Sequence, residues 1–137
     1  MKKLFLFIAL APVLFACKDP NVKYNQVIQN DSDYDVWVKV YNRTDSAATV
    51  FFTVDSFLIA KKSETIILER NGYKNMSVFN PCNMYLDSIK GYAEDTTLIL
   101  TKNLNSAANY TFTEVSKNKK GGGTCECRTI FKNSDLH

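Results

Sequence analysis

Residues 34–41 read Tyr-Asp-Val-Trp-Val-Lys-Val-Tyr and alternate with a period of two. Successive side chains of an extended chain point to opposite faces, so this pattern predicts a β-strand. Tyr34, Val36, Val38 and Val40 share one face, predicted to meet the core. Asp35, Trp37, Lys39 and Tyr41 share the other. A shorter candidate strand covers residues 24–29, and the turn composition of Asn30-Asp31-Ser32-Asp33 predicts a hairpin between the two. Residues 48–54 are rich in β-branched and aromatic side chains, and residues 57–60 form a short apolar run. A strand over 65–70 meets Asn71-Gly72, a pair suited to a type I′ turn, which predicts a return strand over 73–79. Asn80-Pro81 breaks it. Residues 82–95 permit a short helix through Tyr85, Ile89 and Tyr92, or a strand over 86–92, which is the favoured reading. Residues 97–101 read as a strand. Residues 110–116 and 124–132 flank Lys117-Asn118-Lys119-Lys120-Gly121-Gly122-Gly123, predicting a long hairpin with a mobile basic tip. Eight or nine short antiparallel strands without a long helix predict an all-β fold, a small β-sandwich, with a small β-barrel as the alternative.

The first residues follow another pattern. Lys2-Lys3 precedes a twelve-residue stretch, residues 4–15, that is apolar apart from Pro12. As a helix it would span about 18 Å, short of the roughly 30 Å hydrocarbon core of a bilayer, so it reads as a signal segment. Leu14-Phe15-Ala16-Cys17 resembles the lipobox of bacterial lipoproteins, with Phe15 bulkier than the pattern usually carries. That resemblance implies cleavage before Cys17, a thioether to diacylglycerol on its sulfur, and acylation of the new amine. Two or three chains anchor stably where one is marginal. Lys18 stands where Asp would resemble an inner-membrane retention signal, which implies delivery to the outer membrane, on its periplasmic face or at the cell surface. Residues 1–16 are then leader, 17–23 lipidated cysteine and tether, and 24–137 one β domain. Six tether residues reach about 20 Å at most, so the domain would sit close to the bilayer. The terminal third, residues 110–113 and 124–136 with Asp87-Ser88-Ile89 upstream, resembles small uncharacterised all-β envelope lipoproteins of Gram-negative bacteria, a group that carries no assigned chemistry.

Charge and cysteine content narrow the picture. The 137 residues carry 17 Lys+Arg against 14 Asp+Glu, and loss of Lys2 and Lys3 with the leader leaves 15 against 14. Such a balance argues against nucleic-acid binding through a clustered basic surface. The single histidine is His137, which argues against histidine triads and three-histidine zinc sites. Cys82, Cys125 and Cys127 remain beside Cys17. Cys125 and Cys127 share a strand face with Cα atoms about 6.5–7 Å apart, at or beyond disulfide range, so Cys82 is expected to pair with one of them. The ring closed with Cys125 would contain 44 residues, worth about 4 kcal/mol in the chain-entropy treatment. The rival reading is Cys-x-Cys as a metal or redox site, for which Cys82 would have to supply the third ligand.

Other patterns weaken on inspection. Asp31-Ser32-Asp33-Tyr34-Asp35 opens like a calcium loop, but Val36 stands where glycine is needed and Asn42 where the bidentate acid belongs. Gly121-Gly122-Gly123-Thr124 lacks the Gly-Lys-Ser/Thr of a phosphate loop. No Gly-x-Ser-x-Gly is present. The sequence thus points to a non-catalytic protein without metal or cofactor, contacting a protein or glycan partner in the envelope and held to the membrane by its lipid. Trp37, Lys39 and Tyr41 form one candidate binding strip, weighed against cover by a loop or the second sheet. The tip lysines Lys119 and Lys120 form another, weighed against ordinary solvated charge. Tyr73, Met76, Met84, Tyr85 and Tyr92 are a third candidate, weighed against core packing. An inhibitor or immunity-type protein that inserts the 110–132 hairpin into a partner's active site is the alternative function.

Overall fold

A computed structural model describes residues 21–43 and 51–137. The leader, Cys17, residues 18–20 of the tether and residues 44–50, which hold the start of the strand read over 48–54, lie outside them. Seven strands run through the described residues: β1 (Val22–Asn30), β2 (Val36–Arg43), β3 (Phe51–Ile59), β4 (Ser63–Tyr73), β5 (Ser88–Ala93), β6 (Thr111–Lys117) and β7 (Gly123–Phe131). They form a four-stranded sheet, β4-β1-β7-β6, packed on a three-stranded sheet, β3-β2-β5. The fold is the expected small sandwich, with seven strands among the described residues where eight or nine were predicted. Residues 97–101 supply only a bridge, Leu100 to Leu136.

The strand arrangement corrects five expectations. β1 and β2 do not form a hairpin, because they belong to different sheets. The connecting chain crosses the sandwich edge, and buried Asn30 fastens it by donating to the carbonyls of Tyr34 (2.7 Å) and Ile59 (2.9 Å). Asn71-Gly72 does not turn the chain. β4 runs through it, paired with β1 from Asn30↔Ser63 to Val22↔Tyr73. Gly72 alone takes a positive φ (91°), which one irregular strand position accommodates, whereas a type I′ turn needs two. The return strand read over 73–79 is instead a 3-10 turn, Met76–Phe79, begun by Asn75 accepting from the Ser77 N–H. Finally, β1 and β7 pair in parallel, so the sheet is not wholly antiparallel. β1 also starts at Val22, inside the stretch read as tether, and Val22 is fully buried.

Two apolar clusters fill the interior. Ile28 and Phe131 of the larger sheet meet Val36, Val38, Val40, Ile59 and Ile89 of the smaller one. Toward the beginning of β1 the smaller sheet gives way, and the 3-10 turn covers the larger sheet. Tyr24 stacks on Phe79 with centroids 4.2 Å apart beside Met76, Tyr110, Cys125 and Cys127. Cys82 and Cys127 form a disulfide with Cα atoms 5.7 Å apart, tying the post-Pro81 loop to β7. Cys125 lies on the same buried face as a free thiol.

Candidate functional site

β2 occupies the centre of the smaller sheet, and its inward valines force the intervening residues outward. Tyr34 precedes the strand and is exposed rather than core. Directly opposed residues of antiparallel strands share a face. Trp37 lies opposite Leu58 of β3 and Tyr92 of β5, so three large side chains stand abreast across three strands. All three are open to solvent, Trp37 at 38%. Among the described residues neither a loop nor the other sheet covers Trp37.

Lys39 lies directly opposite Lys90, a like-charge pairing that costs stability unless the charges separate. They separate by leaning opposite ways onto aromatic rings. The Lys39 ammonium sits 5.5 Å from the Tyr92 centroid, and that of Lys90 sits 5.5 Å from the Tyr41 centroid. The Tyr92 hydroxyl pKa is raised, by partial burial first and by the neighbouring Tyr41 second. Among the described residues neither lysine is in an ion pair. Trp37, Lys39, Ser56 and Tyr92 line a shallow hollow of about 380 Å³. That volume falls in the range of small-ligand sites. Ring faces, an ammonium and a hydroxyl therefore converge on one recess.

The sequence placed Trp37, Lys39 and Tyr41 on one face, and the structure puts all three on the outer side of β2. It assigned Tyr92 to a different candidate group and missed Lys90, because cross-strand register is not written in either strand alone. The third candidate group divides. Met76 is buried, and Tyr73, Met84 and Tyr85 pack around it and Phe79, while Tyr92 belongs to the opposite side of the molecule. Lys119 and Lys120 are exposed on the β6–β7 hairpin, which belongs to the other sheet.

The hairpin tip is fastened rather than mobile. Asn118 donates its backbone N–H to Gly122 O (2.8 Å), and its side-chain oxygen accepts from the N–H groups of Lys120 (3.0 Å) and Gly122 (2.9 Å). The three described cysteines are a buried disulfide pair and one buried thiol. Cys127 is in the disulfide, and burial first and Glu114 second push the Cys125 thiol up to about 11, leaving little thiolate at neutral pH. Among the described residues no group of three or more His, Cys, Asp or Glu side chains is placed to hold a metal ion. The acids of the calcium-like segment have protein donors instead. Asp33 takes Lys62 and Asn133, and Asp35 accepts from the Lys61 N–H. Compared with known proteins, the chain matches no family model, no curated protein and no solved structure.

Proposed function

We propose that this chain is a non-catalytic, lipid-anchored binding module of the bacterial outer membrane, and that it binds saccharide on the outer face of the β3-β2-β5 sheet. The row Leu58–Trp37–Tyr92 above the Lys39/Ser56 hollow carries the proposal. Flat amphipathic rings stack on the C–H faces of sugars, while an ammonium and a hydroxyl beside them satisfy ring hydroxyls or carboxylates. Size favours a saccharide over a protein. Three strands, the shortest of six residues, present a patch roughly 15 Å by 20 Å, about 300 Å². A standard protein interface takes about 800 Å² per partner.

The anchoring half of the proposal rests on Leu14-Phe15-Ala16-Cys17 and on Lys18 beside it. The inhibitor reading is less well supported. The hairpin it would insert is pressed against Asn21, the residue at which the chain leaves for Cys17, so a membrane anchor there would leave a partner's cleft little room.

Two experiments test the two halves. In cells, the protein should take up labelled fatty acid and Cys17→Ser should abolish the label; a parent protein that carries no label, or a Cys17→Ser variant labelled as before, would refute the anchor. On an array of bacterial and host oligosaccharides, the mature chain should bind a related set of sugars. Trp37→Ala should weaken that binding about 30-fold, the scale of a buried aromatic hot spot. Binding to none of them, or binding indifferent to Trp37, would refute the sugar site.

A further inference from the structure

The two ends of the sandwich differ in what they present, and the difference points to a second surface. The described chain begins at Asn21, whose backbone oxygen accepts from Gly123 N–H (3.1 Å) and whose side chain accepts from Gly72 N–H (2.9 Å). The hairpin tip is packed against it so closely that a Cβ on Gly122 would stand 2.6 Å from Asn21 O. The fastened tip therefore holds Lys117, Lys119 and Lys120 beside the point where the chain departs toward Cys17. Lys117 lies 3.9 Å from Glu114, while Lys119 and Lys120 are exposed and, among the described residues, outside any ion pair.

Chain geometry sets the distance to the anchor. Four Cα steps separate Asn21 from Cys17, at most about 14 Å. The aromatic row lies at the opposite end. β1 runs nine residues, about 26 Å, from Val22 to Asn30, and Asn30 bonds the carbonyl of Ile59, which pairs with Val36 beside Trp37.

We propose that Lys119 and Lys120 form a membrane-contact site, resting on the anionic phosphate headgroups of the leaflet that holds the Cys17 acyl chains. The contact orients the sandwich on end, with the Trp37 row at the end away from the bilayer. This inference rests on the anchored reading above, but its test needs no acyl chain.

The mature chain carrying Cys17→Ser is sedimented with phosphatidylcholine vesicles, with and without phosphatidylglycerol. It should partition onto the phosphatidylglycerol vesicles only, and less at high salt. Lys119→Gln with Lys120→Gln should lower partitioning about 25-fold, on the order of fivefold per lysine near an anionic surface. Lys61→Gln with Lys62→Gln makes the same charge change at the far end and should leave partitioning nearly unchanged. Equal partitioning of the tip variant and the parent, or equal loss in both double variants, would overturn the proposal. Fatty-acid labelling of the unsubstituted protein reports the anchor separately. An unlabelled Cys17 with tip-dependent vesicle binding would remove the anchor and keep the contact.

Discussion

The outer faces of the two sheets obey the same alternation and end up as opposite kinds of surface. On the larger sheet, Arg128 of β7 bonds Glu126 of its own strand (2.9 Å), Gln29 of β1 (2.8 Å) and Glu64 of β4, and Lys23 pairs with Glu69 at 2.7 Å. The Arg128 guanidinium pKa is raised by those carboxylates, Glu64 first. Lys23, Glu64, Glu69, Glu126 and Arg128 on this face are all engaged with one another. On the smaller sheet the outward residues include three rings and two lysines beside Leu58 and Ser56, and the cation–π contacts among them leave ammonium donors and ring faces open. A face that completes itself stabilises the fold, whereas one that does not is equipped to meet something else.

Substitutions can break this contrast. The largest effect should come from the interior behind the self-satisfied sheet. Cys82→Ala with Cys127→Ala should cost about 4 kcal/mol in denaturant unfolding, because the bridge spans 45 positions of sequence. At temperatures where the variant is folded, saccharide binding should persist, since the disulfide lies among Met76, Phe79 and Tyr110 rather than behind Trp37. Trp37→Ala should be milder for stability, about 1–2 kcal/mol for its half-buried ring, and severe for binding. Arg128→Ala should do the reverse: about 1 kcal/mol of stability lost, less at high salt, with binding unchanged.

The smallest effect is a titration. The hydrogen bond from Arg128 holds the Glu64 carboxyl below its usual 4.5. Its contribution is fully present above that value and is lost as pH falls through the lowered folded value. With Glu64 half exposed, the amount is a fraction of about 1 kcal/mol. Arg128→Ala should flatten that acid limb in stability measured from pH 6 downward. An unchanged limb would place the acid sensitivity elsewhere.

What could be read from the residues and what could not divide along physical lines. The valines of β2 announced a half-buried strand, because a period of two has a local meaning. The same rule put Cys125 and Cys127 on one face, leaving Cys82 as the partner for disulfide formation. The hairpin of β6 and β7 was legible from its Lys/Gly run, but its rigidity was not, since that depends on Asn118 closing the loop and on Asn21 arriving beside it. Asn71-Gly72 misled because a turn-prone pair specifies only what the backbone can do. β1 offers continuous pairing on that side, and β4 goes straight through. Tyr92 joined the site only through the register Trp37↔Tyr92, set by pairing between strands more than fifty residues apart.

Trp37 is the only tryptophan in the chain, so its emission reports on the proposed surface without labelling. The most direct measurement is its fluorescence while the mature chain is titrated with oligosaccharides from lipopolysaccharide core and capsule. A saturable change in intensity or wavelength, weakened at least tenfold in Lys39→Gln, is the predicted result. Emission that stays constant through the titration of every saccharide, in a protein whose unfolding transition is intact, would contradict it.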